Sequence, residues 1–215
     1  MAFQNLRLAA EEVSCIRGDR IVLDHLSFMC DAHSPLIVRG PNGAGKSTLL
    51  RAIAGLVSLS HGFIRMRGDH LSQDDGISLD HVHYVGHADG VKSVLSVREN
   101  LAFWAALLGE GEVEPIERAL AAFDLGAVAD LPAQFLSAGQ RRRVALARLV
   151  VSERALWLLD EPTASLDARA IENLMALMSA HSKSGGLLMV ASHDALDIPG
   201  AQALELSLYQ GGSDQ

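Results

Sequence analysis

The chain of 215 residues carries a formal net charge of −8, with 49% hydrophobic and 20% charged residues. That composition supports a sizeable folded core and excludes the low-hydrophobicity, high-charge class of disordered chains, while the length allows one large domain or two small lobes. The stretches free of Asp, Glu, Lys and Arg, such as Ala52 to Ile64 and Leu101 to Gly109, fall short of the roughly 20 apolar residues of a membrane span. An acidic total also weighs against broad nucleic-acid binding. Met1 to Ala10 holds no basic-then-apolar leader and runs straight into Glu11 and Glu12, which predicts a cytoplasmic protein. Cys15 and Cys30 show no Cys-x-x-Cys spacing, so they are expected as small buried hydrophobes, not as a disulfide or a zinc site.

In chain order, Ile21 to Leu23 with Leu26 and Phe28 has the character of a strand, and Leu36-Ile37-Val38 is a short apolar run that ends at Gly40. Helical spacing starts at Lys46, places Leu49, Leu50, Ile53 and Ala54 on one face, and meets a stop at Gly55. A second strand pair is expected from Gly62 to Arg67 and from His81 to Val85, with Gly68 and Asp74-Asp75-Gly76 as turn material. Ser96-Val97-Arg98-Glu99 is a capping-box pattern introducing a helix through Leu108, and Glu114 to Phe123 is a further amphipathic helix. A mostly helical insert is therefore expected from about His87 to Leu136. A helix from Ala138 to Val151, a strand from Ala155 to Leu159, a helix from Ala168 to His181 and a strand from Leu187 to Ala191 follow. That alternation implies an α/β fold with a parallel sheet.

Gly40-Pro41-Asn42-Gly43-Ala44-Gly45-Lys46-Ser47 fits G-x-x-x-x-G-K-[ST] and has a strand before it and a helix after it. Glycines let backbone N–H groups turn inward around phosphates, and the helix N-terminus adds its positive end. In this pattern Lys46 reaches the β- and γ-phosphates of a nucleotide, with Thr48 following in the same turn, and Ser47 can bind Mg²⁺. Leu156-Trp157-Leu158-Leu159-Asp160-Glu161 is an apolar strand ending in two carboxylates, at the sheet edge where α/β proteins present catalytic groups. Asp160 is expected to hold the Mg²⁺ shell and Glu161 to orient an attacking water.

Between these segments, Leu136-Ser137-Ala138-Gly139-Gln140 resembles the LSGGQ signature of the ATP-binding cassette (ABC) ATPases, with Ala138 in place of the first of two glycines. The resemblance continues through Ser165-Leu166-Asp167, similar to the D-loop, and Ser192-His193-Asp194, similar to the switch-histidine segment. It implies a P-loop NTPase with a RecA-like parallel-sheet core, an antiparallel β subdomain and a helical subdomain. A single domain over residues 1–208 and a tail over 209–215 are expected. It also implies ATP and Mg²⁺ as ligands, with two copies arranged head to tail, so that Ser137, Ala138, Gly139 and Gln140 of one copy meet the nucleotide on the P-loop of the other. Asp167 would then lie at the dimer interface, and His193 would join Glu161 and Lys46 in the catalytic group.

Two positions depart from the family. An aromatic residue that stacks on adenine is replaced within Cys15-Ile16-Arg17-Gly18, where Arg17 can offer its guanidinium plane instead. Histidine, as His87 in Val85-Gly86-His87-Ala88, stands where the family has the Q-loop glutamine; a neutral imidazole accepts one hydrogen bond and donates another, as an amide does. His70, His81, His83 and His87 are locally enriched without a spacing that unites them, so separate strand and loop positions are expected. Arg141, Arg142, Arg143 and Arg148 follow the signature and are expected to form a charged helix face paired with acidic surroundings. Nucleic-acid binding is the competing use of such a cluster.

The short length, the Gly86-His87-Ala88-Asp89-Gly90-Val91-Lys92 segment, Leu136-Ser137-Ala138-Gly139-Gln140 and Ala155 to Pro162 together resemble the haem-exporter ATPases of cytochrome c maturation. That likeness implies a peripheral subunit on the cytoplasmic face of the bacterial inner membrane, bound to integral membrane subunits, whose hydrolysis powers release of a haem-loaded chaperone. Another ABC transporter is the alternative. A nucleic-acid-associated ABC ATPase fits less well, because tandem cassettes, long coiled-coil inserts and basic extensions do not fit into 215 residues with a net charge of −8.

Overall fold

The computed structural model describes residues 5–68, 77–109, 114–194 and 196–206. His70, the Asp74-Asp75-Gly76 cluster and the expected tail over 209–215 lie outside the described residues. The chain divides into two compact units, one made of residues 1–86, 155–161 and 178–215, the other of 87–154 and 162–177.

The first unit holds two sheets. β1 (Arg7–Arg17) lies between β2 (Arg20–Asp31) and β4 (His61–Arg67), antiparallel to both. The other sheet is parallel, in the order β5-β6-β7-β3-β8, from β3 (Leu36–Arg39), β5 (Val82–Val85), β6 (Leu156–Asp160), β7 (Leu187–Ala191) and β8 (Gln202–Glu205). β6 and β7 are buried along their whole length, as expected of the near-continuous apolar runs that a parallel sheet requires. The helix α1 (Lys46–Ile53) covers this sheet with Leu49, Leu50 and Ile53, and the chain leaves it at Gly55, where φ is 70°. Cys15 and Cys30 are free thiols buried in the same core, where burial pushes the Cys30 thiol up to about 12.

The second unit is helical. α2 (Val97–Leu107), α3 (Glu114–Ala122) and α4 (Ala138–Val151) pack on one another around Leu101, Leu120, Phe123 and Leu146. The capping box at α2 is present: Glu99 N–H donates to Ser96 Oγ at 3.1 Å, and Ser96 N–H donates to Glu99 Oε2 at 2.7 Å. Buried Asn100 donates to the carbonyls of Lys92, Leu95 and Ser96, which pins the segment after His87 to the start of α2. α5 (Ala168–Lys183) begins in this unit and ends in the first.

Two expectations are corrected and one strand is added. The segments Gly62–Arg67 and Val82–Val85 are in strands but not a pair, and His81 belongs to the 3₁₀ turn before β5: β4 bonds to β1 in the antiparallel sheet, and β5 bonds to β6 in the parallel one. β1 itself was hidden in the sequence because a bulge between Ala10 and Val13 absorbs Glu11 and Glu12, with Glu12 at φ 51°, and so breaks the two-residue alternation. The four arginines after the signature do not form the one charged face expected of them, since Arg142 and Arg148 are buried, although the expected acidic pairing holds at Arg142. Arg142 pairs with Asp89, Arg148 stacks over Trp104 at 4.6 Å, Arg141 donates to the Leu136 carbonyl, and Arg143 to the carbonyls of Phe123 and Asp124.

Candidate functional site

β3 is short because its work is to deliver the chain to Gly40 at the carboxyl edge of the parallel sheet. Leu36, Ile37 and Val38 are buried between β7 and β8. The loop then turns through positive φ at Gly40 (142°), Gly43 (82°) and Gly45 (98°). At Gly45 space as well as φ demands glycine, because a Cβ would lie 2.9 Å from Leu23 Cδ2 and 3.1 Å from the Val22 carbonyl oxygen. No side chain caps α1, which leaves its first-turn amides without side-chain partners, as at helix N-termini that receive anions. Ser47 and Thr48 stand half-buried in that first turn. Pro41 and Asn42 are exposed at the loop's tip, and the Ala44 N–H donates to the Pro41 carbonyl at 3.1 Å.

Lys46 is buried, and its Nζ donates to the carbonyls of Gly40 at 2.8 Å and Pro41 at 3.2 Å. Its third contact is His193 Nε2 at 3.0 Å. An ammonium can only donate, so Nε2 is the acceptor in this contact. His193 follows the end of β7, and its N–H donates to Glu161 Oε2 at 3.3 Å, while its Nε2 lies 3.4 Å from Glu161 Oε1. Glu161 leaves β6 with φ 47° and donates its own N–H to the Ala191 carbonyl at 2.9 Å, a left-handed step that turns the chain just as the strand ends. Asp160, the last residue of β6, is 2% exposed. Lys46, His193 and Glu161, distant in sequence, thus form one contiguous chain of polar contacts beside the glycine loop.

Arg51 is a member of this neighbourhood that sequence reasoning missed. Its Nε donates to the Tyr84 hydroxyl at 3.1 Å, and that hydroxyl together with the charge of Asp160 pushes the guanidinium pKa up. The only trace in the sequence is an arginine inside the first helix after the glycine loop.

The other expected site residues lie elsewhere. Arg17 is exposed at the end of β1, where the β1–β2 hairpin also exposes the cross-strand neighbours Ile16 and Ile21. His87 is exposed one residue beyond Gly86. His81 closes a short 3₁₀ turn, and His83 is buried in β5, edge-on to Trp157. In the second unit Ser137 is the N-cap of α4: its Oγ accepts from the Gln140 N–H at 3.2 Å, and Gln140 Oε1 accepts from the Ser137 N–H at 2.9 Å. Ser137 and Ala138 are exposed, and Gly139 is half-buried. Asp167 is exposed and accepts the Ala170 N–H at 2.8 Å at the start of α5.

Comparison with known proteins gives a consistent picture. A family model described as ABC transporter matches residues 23–164. The cytochrome c biogenesis ATP-binding export protein CcmA of Paramagnetospirillum magneticum is 42% identical over 204 residues, 94% of either chain. An ABC transporter ATP-binding protein from Pyrococcus furiosus superposes with a TM-score of 0.80 at 22% identity, over 95% of this chain and 100% of that one. A dimeric ATP-binding cassette in a post-hydrolysis state, bound to ADP and Pi, superposes with a TM-score of 0.75 at 24% identity, over 87% of this chain and 88% of its own.

Proposed function

The chain belongs to the ABC transporter family and, within it, to the cytochrome c biogenesis ATP-binding export proteins, and from that premise we propose that it is the peripheral ATPase subunit of a haem-export complex of the bacterial inner membrane. The observation that carries the nucleotide chemistry is the continuous Lys46–His193–Glu161 arrangement beside a glycine loop of three positive φ angles. In this reading residues 1–208 form one ATPase domain, with its helical part over about 87–136 and a tail over 209–215. The loop from Gly40 to Thr48 wraps the triphosphate with backbone amides. Lys46 exchanges the carbonyls of Gly40 and Pro41 for phosphate oxygens, and Arg17 or the exposed Ile16 and Ile21 beside it cover the adenine.

Ser47 and Asp160 offer a hydroxyl and a carboxylate, hard oxygen donors of the kind that Mg²⁺ prefers, so this donor set fits the ion. Bound there, Mg²⁺ would neutralise charge on the phosphates. Glu161 holds the attacking water by its carboxylate, and His193, already in contact with Glu161, bonds to the terminal phosphate once Lys46 has turned to the nucleotide. The signature turn, Ser137 to Gln140, closes on the nucleotide of a second copy, with Asp167 at the same interface; that a solved cassette of this fold is dimeric supports the pairing of two copies. His87 links the nucleotide site to integral membrane subunits on the cytoplasmic face, and hydrolysis powers release of a haem-loaded chaperone.

The test is co-purification of the tagged chain with its membrane subunits, followed by ATPase assay of the complex. Glu161→Gln should bind ATP and form a stable ATP-dependent dimer, yet lose about 10²-fold or more in turnover, the range of general-base catalysis. Near-normal turnover would remove Glu161 from its role, and recovery with the membrane subunits of a different transporter would replace the haem-export assignment.

A further inference from the structure

The first turn of α4 is seated on the segment that follows Glu161, at two places within the second unit. At Gly139 there is no room for any side chain: a Cβ would lie 2.7 Å from the Ser165 carbonyl oxygen, a backbone atom. That carbonyl is held in place by an unusual backbone, since Ser165 takes φ 63°, a conformation that costs a residue with a Cβ. One turn further on, Arg142 is 4% exposed; its Nη1 pairs with Asp89 Oδ1 at 3.1 Å and its Nε lies 3.4 Å from the Pro162 carbonyl oxygen. One guanidinium therefore joins α4 to a loop residue two positions after His87 and to the residue after Glu161. Burying a guanidinium is costly unless its donors are matched, and the pair need not add net stability. A purely structural helix would more simply carry an apolar residue here, in the stripe with Ala145, Leu146 and Leu149.

We propose that Gly139 and the Arg142–Asp89 pair are positioning residues, which clamp the signature turn to the 162–167 segment so that it meets a second copy's nucleotide in one fixed orientation. The inference rests on the nucleotide-sandwich reading above. Recognition of a phosphate by a helix N-terminus depends on direction, and a displacement of about 1 Å can cost on the order of 10²-fold in rate. Arg142 and Asp89 belong to the second unit and the glycine loop to the first, so the clamp governs closure of the dimer and not capture of ATP by a single copy.

The experiment compares Arg142→Met, Asp89→Asn, the double variant Arg142→Met/Asp89→Leu, Gly139→Ala and Gly139→Ala/Ser165→Gly in the assembled membrane complex. Thermal unfolding, affinity of the full chain for a fluorescent ATP analogue, kcat and KM are measured, together with the ATP-dependent dimer in a Glu161→Gln background. The double apolar variant should melt like the wild type and bind the analogue within twofold of it, yet show at least a tenfold lower kcat and no ATP-dependent dimer. Gly139→Ala should lose the dimer as well, and Ser165→Gly should restore part of it by freeing the carbonyl to turn aside. A kcat within twofold of wild type in the folded double variant, or losses of kcat that only track losses of melting temperature, would overturn the clamp. Either result would leave the catalytic role of Glu161 standing, because Glu161→Gln in the otherwise native chain tests that separately.

Discussion

The imidazole of His181 gives the fold a calculable dependence on pH. It is 7% exposed, stacks on Trp157 with ring centroids 4.1 Å apart and 8° between planes, and bonds through Nε2 to the Leu187 carbonyl at 3.0 Å. Gly186 closes the other approach, since a Cβ there would lie 2.2 Å from the ring. Burial pushes the pKa of this group from 6.5 down to about 4, against a smaller opposing effect of the Leu187 carbonyl. A base whose folded pKa is depressed leaves the unfolded chain holding the extra proton between the two values. Its contribution to stability is therefore complete above about pH 6.5 and is lost as pH falls towards 4. Those two pKa values give a loss of about 2 kcal/mol on going from pH 7.5 to pH 5, or a fall in melting temperature of about 4–8 °C for a chain of this size. Replacing the residue by His181→Phe keeps a ring on Trp157 but cannot take up a proton. At pH 7.5 the variant should be less stable by about 1–3 kcal/mol, because the Leu187 carbonyl loses its donor, and that deficit should shrink as pH falls towards 5. The decisive quantity is the difference between pH 7.5 and pH 5, measured by urea unfolding on both proteins, in which the other titrating groups cancel. That difference should be smaller by about 2 kcal/mol in His181→Phe; equal differences in the two proteins would refute the assignment of a neutral, buried imidazole.

Lys46→Ala should weaken ATP binding by about one to two decades, the value of a lost charge-assisted contact of about 1.5–3 kcal/mol, and calorimetry showing unchanged affinity would count against the glycine loop as the nucleotide site. His87→Gln should retain ATP hydrolysis and its response to the membrane subunits, whereas His87→Ala should keep ATP binding and lose that response; ATPase rates with and without the membrane subunits read the difference, and superimposable rates for all three proteins would leave His87 without a coupling role.

The sequence alone determined those parts of the protein in which function or solvent leaves a local mark. The boundaries of α4 and β7, the capping box at Ser96 and the strand–loop–helix around Lys46 follow from periodicity, from cap chemistry and from the glycines that positive φ requires. Local signals of this kind survive without knowledge of neighbours. The tertiary structure decided what depends on pairing across distance. β1 is central in its sheet, yet its bulge at Glu11 and Glu12 erased the alternation by which a strand is recognised, and β8 buries only Leu204 within Gln202–Glu205. Nothing in His61–Arg67 or Val82–Val85 says which sheet each joins, because hydrogen-bond partners are chosen by backbone register and not by composition. The site divides in the same way. Lys46, Asp160 and Glu161 announced themselves by motif, but the contacts of His193 with Lys46 and Glu161 and the burial of Arg142 against Asp89 became visible only in the fold. A charged side chain carries no mark of whether it faces water or a partner 53 residues away; the balance between desolvation and pairing that settles the matter is struck only when the chain has folded.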